Sequence, residues 1–359
     1  MAWGGTGGHV FPIRSLLETL FKTPSYASQV DKIYRFGSRG SLEEEVVQTP
    51  FGHGDVIFQS ILSWKYRRQK TIKAFFQNLK DVFLFSFGFL QSLRYLRTYR
   101  VDVVFCKGGY VALPVVFAAK LLRKKIIVHE SDVHPGMVNR IASRYTSATF
   151  TGFDNVLPNA ITVGQILSDD ITPQTPFRKG GNEWSDERGR PTVFIMGGSQ
   201  GSRILYETFA ELLQTNVGIA SSFNFFITLW KLNNNLKPLF SQQHVHCFDF
   251  LSQKEMGELY QISDICLARG WTTSLAEQKL FNIKSIIVPI PRTHDQMDNA
   301  KRYVHHHSDI LLDQTSPTFL QDMEKVFLSL THYHKPPIEK DIFTEIQQAK
   351  KLIWEEILK

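Results

Sequence analysis

Three glycine-rich turns carry the residues best suited to chemistry. Gly4-Gly5-Thr6-Gly7-Gly8-His9 opens a helical pattern, Lys107-Gly108-Gly109-Tyr110 follows an apolar run, and Gly197-Gly198-Ser199-Gln200-Gly201-Ser202 joins a strand pattern to a helical one. Glycines let backbone N–H groups come close to a ligand, and the helix that follows turns the positive end of its dipole toward the same place. Two such turns facing one cleft suit a diphosphate. Each by itself reads equally well as a tight turn between strand and helix. None is a Walker A loop, because no GKS or GKT follows. His9 stands at a helix start, where a cation is disfavoured, so its imidazole is expected to be neutral and able to accept a proton. From position alone the histidine is better read as capping its turn.

Farther along, Ser274 and Glu277 form a Ser-x-x-Glu pattern, which predicts a capping box at a helix start. The alternative use of Glu277 is to grip a vicinal diol such as a nucleotide ribose, since one carboxylate accepts from both hydroxyls. His294, Asp295, Gln296 and Asn299 make a polar cluster just beyond an apolar run. That is the end of a strand at which open α/β sheets bind ligands, although a solvated loop has the same composition.

The elements that must position these residues are legible in outline. Short β-branched runs alternate with helical patterns, the signature of layered α/β structure with parallel strands. Strands are predicted at 32–36, 103–106, 125–129, 148–151 and 161–163, and again at 192–196, 224–228, 265–268 and 285–288. Between the two sets, residues 168–191 are rich in proline, glycine and charge and read as a linker or exposed loop. The pattern predicts two doubly wound domains with a cleft between them, at 1–165 and 166–336, and one amphipathic helix in 337–359. The first strand of the first sheet is expected to be missing, since only Met1 and Ala2 precede Trp3, and the upstream reading frame is expected to encode it.

The 359 residues carry a formal charge of +7, with 43% hydrophobic and 21% charged side chains. This is globular composition, and the basic balance suits a phosphate-rich partner: nucleic acid, an anionic membrane or a pyrophosphate substrate. Cys106, Cys247 and Cys266 lie in apolar runs without a CxxC pair, so neither a zinc site nor a disulfide framework is indicated. No apolar run reaches the roughly 18–20 residues of a spanning helix. Residues 64–100 interleave Lys65, Arg67, Arg68, Lys70, Lys73 and Lys80 with Tyr66, Phe75, Phe76, Phe83, Phe85, Phe87 and Phe89. A basic, aromatic surface marks an interfacial membrane binder or a single-strand nucleic-acid binder. The stretch 65–80 is the better membrane candidate, and the phenylalanine-rich part is expected to be core.

Taken together the motifs resemble the MurG family over nearly the whole chain. GGTGGHVFP at 4–12, KGGYVALPVVFAA at 107–119, HESDVHPGMVNR at 129–140, GGSQGS at 197–202, and SLAE at 274–277 with HDQMDNA at 294–300 look like its blocks in its order. The resemblance implies a two-domain GT-B glycosyltransferase fold and an inverting transfer with no cofactor and no essential metal. The donor it implies is UDP-N-acetylglucosamine. The acceptor is lipid I, whose muramyl 4-hydroxyl attacks the anomeric carbon to give lipid II at the cytoplasmic face of the cell membrane. By the same similarity His9 is the general base, and Thr6, Gly7 and Gly8 line the reacting centre. Ser199 and its loop hold the donor phosphates. Leu251 lines the uracil pocket, Glu277 binds the ribose, and Gln296 with Asn299 binds the sugar hydroxyls. Thr272, Thr273, Ser274, Leu275 and Ala276 belong to the donor-binding run, while Asp132 and Asn139 belong to the substrate-binding block at 129–140.

Departures from the family pattern accompany the match. Asp132 stands where asparagine is frequent, and Ser168 where a donor-side arginine is usual. Trp3, Trp64, Trp230 and Trp271 each stand where the family usually carries glycine. Some bacterial lineages read the codon UGA as glycine, and a table assigning UGA to tryptophan would print these four residues. Two other enzyme or homologue readings compete: a related GT-B transferase using another lipid acceptor such as a diacylglycerol, and a catalytically inactive, lipid-binding homologue. A nucleic-acid partner explains the charge but not the ordered glycine turns, and none is expected.

Overall fold

The computed structural model describes residues 1–3, 7–38, 56–63, 72–172, 178–179, 182–183, 189–198, 202–293, 295–339 and 341–359. The chain divides into two compact units, Met1–Ser168 with Ile346–Lys359, and Asp169–Glu345.

The first unit is built on a seven-stranded, wholly parallel sheet. Its strands are β1 (Ala2–Trp3), β2 (Ile33–Gly37), β3 (Val56–Ser60), β4 (Val103–Gly108), β5 (Lys125–Glu130), β6 (Ala148–Thr151) and β7 (Ile161–Thr162), in the order β3-β2-β1-β4-β5-β6-β7. The order reverses between β1 and β4, which makes the crevice beyond their carboxyl ends the place for a ligand. The inner strand expected to be missing is present as a two-residue stub. Ala2 pairs with Phe36 on one side and Cys106 on the other, and Trp3 pairs with Gly108. Those few residues suffice because Ala2 is fully buried and Met1 continues the ladder, its carbonyl accepting from the Phe36 N–H at 2.9 Å.

Helices cover both faces. On one, α1 (Gly7–Lys22) buries Ile13, Leu16, Leu17 and Leu20 against Phe105, Ile127 and Phe150. The spacing of those four residues gives a single apolar stripe. On the other face, α4 (Ala112–Leu121) packs on Val104, Cys106, Ile126 and Val128. It is flanked by α3 (Ile72–Thr98), whose Phe85, Phe89 and Leu93 join the same cluster. A short helix, α2 (Pro24–Ala27), follows α1, and α5 (Met137–Ala142) follows β5.

The second unit has a six-stranded parallel sheet. Its strands are β10 (Thr192–Met196), β11 (Asn224–Thr228), β12 (Val245–Phe248), β13 (Ile265–Ala268), β14 (Lys284–Ile287) and β15 (Ile310–Leu311), ordered β12-β11-β10-β13-β14-β15. Every residue of β10 and β11 is buried, as continuous apolar runs require when both faces are covered. Its helices are α6 (Arg203–Thr215), α7 (Val217–Ser222), α8 (Gln253–Ile262), α9 (Thr272–Leu280), α10 (Gln296–His307) and α11 (Phe319–Ser329). The stretch read as a linker is partly built. Asp169–Ile171 forms a 3-10 turn with Ile171 fully buried against α8, and β8 (Arg178–Lys179) pairs with β9 (Asn182–Glu183) as a small antiparallel ribbon. The last helix, α12 (Ile342–Leu358), returns to the first unit, where Ile353 and Trp354 lie in the α1 cluster and Trp354 Nε1 donates to the Leu16 carbonyl at 2.9 Å.

Candidate functional site

In the second unit the strand ends at the reversal of order, β10 and β13, bring two turns together. β10 leads to Gly197 and Gly198, and β13 leads to Arg269, Gly270 and Trp271. Their contact is direct: a Cβ built on Gly198 would lie 3.0 Å from Trp271 Nε1. The first of these turns is held from below by Tyr206 on α6. Its hydroxyl accepts from the Gly197 N–H at 2.8 Å and donates to the Thr228 carbonyl at 2.7 Å, tying the end of β10 to the end of β11. The second turn abuts the start of α10, because Gly270 lacks a Cβ. One there would sit 2.5 Å from the Gln296 carbonyl.

Around this pair lie several of the residues expected on the donor side. Gln296 is fully buried; its Oε1 accepts from the Ile290 N–H at 2.9 Å, while its Nε2 finds no partner among the described residues. A buried amide with spare donors beside a glycine turn is a group waiting for an acceptor. Asn299, one helical turn on, is also buried. Tyr303 of the same helix donates to the Thr272 carbonyl at 3.2 Å and so fixes α10 against α9. Thr272 and Leu275 are buried, whereas Thr273, Ser274 and Ala276 are half-buried. Leu251 is buried at the end of β12, directly before the Ser252–Glu255 capping box that starts α8.

Glu277 is placed differently from the capping box that its spacing suggests. Helix α9 begins at Thr272, and the Trp271 carbonyl accepts from the Leu275 N–H at 3.0 Å. Ser274 is therefore already inside the helix, and Glu277 lies in its second turn with its side chain turned into the fold. There the Tyr260 hydroxyl of α8 is 3.4 Å from Oε2. Burial pushes the Glu277 carboxyl up to about 8, with the tyrosine bond opposing the shift. A carboxylate kept from water in this way needs donors to ionise, which a ligand's hydroxyls would provide.

The first unit has its own polar cluster at the ends of β4 and β5. Glu130 is its hub: the N–H groups of Asp132 (3.0 Å) and Gly136 (2.9 Å) and the Asn139 side-chain amide (3.0 Å) all donate to its carboxylate. Asp132 and Asn139 are thus brought to one place. Lys107, buried at the end of β4, donates to the Ser131 hydroxyl, and burial lowers its pKa while Glu130 and Asp132 oppose the fall. His129 is held well below its ordinary value by burial and by the Lys107 charge, and its Nε2 lies 3.0 Å from the Gly164 carbonyl. His9 occupies the third position of α1, after Gly7 and Gly8, which begin it. The side chain of His9, like Thr6 and Ser199 as whole residues, lies outside the described residues.

Both halves of the chain match one family. The glycosyltransferase family 28 N-terminal domain matches residues 1–151, and its C-terminal domain residues 192–355. A Streptococcus mutans UDP-N-acetylglucosamine--N-acetylmuramyl-(pentapeptide) pyrophosphoryl-undecaprenol N-acetylglucosamine transferase is 32% identical over 312 residues, covering 83% of this chain and 79% of the relative. The chain belongs to glycosyltransferase family 28 and, within it, to the MurG family. An enzyme of the same name from Shouchella clausii is 28% identical over 337 residues, covering 90% of this chain and 89% of the relative. Among solved structures, the Acinetobacter baumannii MurG crystal structure superposes with a TM-score of 0.71 at 19% identity, covering 99% of this chain and 98% of the other. The UDP-GlcNAc 2-epimerase of Neisseria meningitidis, bound to UDP-GlcNAc, superposes with a TM-score of 0.62 at 13% identity, covering 99% and 98%. These likenesses show the GT-B fold.

Several residues of this MurG-family site went unmarked in the sequence. Glu130 and Lys107 lay within quoted blocks, but nothing in their spacing said that one carboxylate would gather three donors. Tyr206 reads as one more apolar position of an amphipathic helix. Arg269 is buried beside the Gly270 turn, where its guanidinium donates to the Val288 carbonyl and the Gln314 side chain, both at 2.7 Å. Its Nε has no partner among the described residues, and burial brings its pKa down to about 10, which leaves it cationic at neutral pH.

Proposed function

We propose that this enzyme transfers N-acetylglucosamine from UDP-N-acetylglucosamine to the muramyl 4-hydroxyl of lipid I, forming lipid II for peptidoglycan. The observation that carries the reading is the meeting, at the reversal point of the second sheet, of a glycine turn, a buried cation and three buried polar side chains of a MurG-family chain. The glycine turn of 197–202 with Ser199 takes the donor diphosphate through N–H dipoles, with Arg269 adding positive potential from beneath, and no metal is needed for that role. Leu251 lines the uracil pocket, Glu277 takes the ribose hydroxyls, Gln296 and Asn299 take the sugar hydroxyls, and Thr272, Thr273, Ser274, Leu275 and Ala276 form the wall between them. In the first unit, Asp132 and Asn139, positioned by Glu130, meet substrate on the acceptor side. Thr6, Gly7 and Gly8 line the reacting centre, and His9 takes the proton of the attacking hydroxyl as the bond from the anomeric carbon to UDP breaks with inversion.

The reaction belongs at the cytoplasmic face of the cell membrane, with the first unit on an anionic surface, in a pathway that serves cell shape and division. Among the described residues no helix is long and apolar enough to cross a membrane. Support for surface association comes from α3. Phe83, Phe87 and Leu90 are 64%, 60% and 59% exposed and fall on one face of that helix. The expectation that the phenylalanine-rich part is core holds for Phe85 and Phe89, which turn inward, and is corrected for Phe83 and Phe87, which are exposed, while the side chains of Phe75 and Phe76 lie outside the described residues. The basic run at 65–80 lies outside the described side chains.

The test is a transfer assay with a lipid I analogue, with diacylglycerol as the rival acceptor. The His9→Ala variant should lose about 10²–10⁴-fold in rate while UDP still binds, the usual loss for a general base. An alanine variant with normal turnover would remove His9 from the reaction. One observation favours a second reading, an inactive lipid-binding homologue: the Trp271 indole lies on Gly198, where donor phosphates would meet the turn. Absence of any transfer by the chain as written would support it.

A further inference from the structure

Trp230 does not fit its own backbone. It follows the end of β11 with φ 56° and ψ 160°. That region is open essentially only to glycine, because any Cβ crowds the neighbouring peptide groups. Ser308 shows the contrast: at φ 54° and ψ 29° it sits in the left-handed helical well, which other residues enter at helix ends. A bulky side chain in the region of Trp230 is an outlier of another order. Nor does the indole compensate. Its Nε1 is shielded from solvent with no hydrogen-bond partner among the described residues, and its ring meets Phe250 edge-on at 5.3 Å. A shielded indole N–H ordinarily finds an acceptor. What position 230 contributes is backbone alone, its carbonyl accepting from the Asn233 N–H at 3.0 Å.

Trp271 shows a second misfit of a different kind. Its dihedrals are ordinary, but it stands as the residue before α9 with no side-chain cap. Glycine is among the residues that favour that position and large side chains are not. Its indole occupies the space over Gly198, with Nε1 at 3.0 Å and Cδ1 at 3.3 Å from where a Cβ would be. Removing the indole would leave the turn open to an incoming group.

We infer that positions 230 and 271 are glycine in the protein as its own organism makes it, the codon at each being UGA read there as glycine. A single cause then accounts for an impossible backbone at one site and an obstructed turn at another. The functional half of the inference, that glycine at 271 opens the donor turn, rests on the proposed donor site. The backbone half, at 230, does not. Trp3 and Trp64 are expected to share the cause, and their side chains lie outside the described residues.

The experiment compares Trp230→Gly with Trp230→Ala in the full chain and reads the codons. Both variants delete the indole equally, but alanine keeps a Cβ. At an ordinary position alanine is the more stable of the two. Here the glycine variant should melt higher than the alanine variant by about 2–4 °C or more. The Trp271→Gly variant should bind UDP about tenfold or more tightly than the chain as written, a difference well within calorimetric reach. Alanine equal to or above glycine at 230, or UGG at either codon, overturns the inference. Failure of UDP to bind any form, with the melting order as expected, counts against the donor site and leaves the glycine assignment at 230 standing.

Discussion

Glu277 shows how a local spacing can misplace a residue that tertiary packing then buries. Ser-x-x-Glu predicts a capping box with Ser274 before the helix, but the helix starts three residues earlier, so Glu277 lies in its second turn, buried beside Tyr260. A carboxyl raised to about 8 in the free protein carries a proton that ribose hydroxyls would displace if Glu277 binds them as proposed. The sign follows from that elevation. Because the folded value lies above the unfolded one, Glu277 favours the folded state at low pH, and that contribution is lost as pH rises through about 8. If the proposed ribose contact needs the ionised form, UDP should bind more tightly as pH rises toward 8 and then level off, with proton uptake by buffer on binding below that pH. Calorimetry in buffers of different ionisation enthalpy measures this directly. In Glu277→Gln the pH slope should vanish along with most of the affinity, and a slope that survives would exclude Glu277 as the ribose ligand.

At the scale of elements the parallel strands were the most legible part. Runs such as 192–196, 224–228 and 265–268 are continuously apolar because both faces are covered, and they appear within a residue of their expected bounds. The strands not foreseen, β1, β3, β8, β9, β12 and β15, are short or interrupted by polar residues, as in Val-His-Cys-Phe of β12. Their identity comes from a neighbour's ladder and not from their own pattern. The faces of helix α3 could not be read in advance, since a phenylalanine at every second position from Phe83 to Phe89 supplies apolar surface in two directions. The exposed pair Phe83 and Phe87 yields an expectation. Replacing both with serine should weaken binding to anionic vesicles without lowering the melting temperature, because burying each ring in lipid contributes on the order of 1.5–3 kcal/mol. Sedimentation with phosphatidylglycerol vesicles measures it. Undiminished binding would place the membrane contact elsewhere.

For the whole molecule, the alternation of strands and helices predicted two doubly wound units, and the two parallel sheets have that form. What no local pattern could tell is the partner of the last helix. The amphipathic face of α12 suits either unit, and the choice is made by Trp354, which fills the α1 cluster and reaches the Leu16 carbonyl, and by Lys125, 3.0 Å from Glu356. Since α1 also carries His9, the proposed general base, the closing helix and the helix that bears this residue share one core. Trp354→Ala should destabilise the first unit by about 3–5 kcal/mol, the usual loss for a large buried aromatic. In urea, transfer activity should then disappear at a lower concentration than UDP binding. Coincident loss of both would show the two units to unfold as one.

The return of the chain to its starting unit has a consequence for how the protein is made. The second unit, Asp169–Glu345, is in effect an insertion within the first. On a ribosome the residues that would hold a donor nucleotide are complete and able to fold while the first unit still lacks a piece of its wall. Until Ile346–Lys359 emerges, the stripe of α1 against which Trp354 packs stays open to solvent. That apolar seam is thus bare throughout synthesis of the second unit, an invitation to chaperones or to a neighbouring nascent chain. The unit synthesised first is the one finished last.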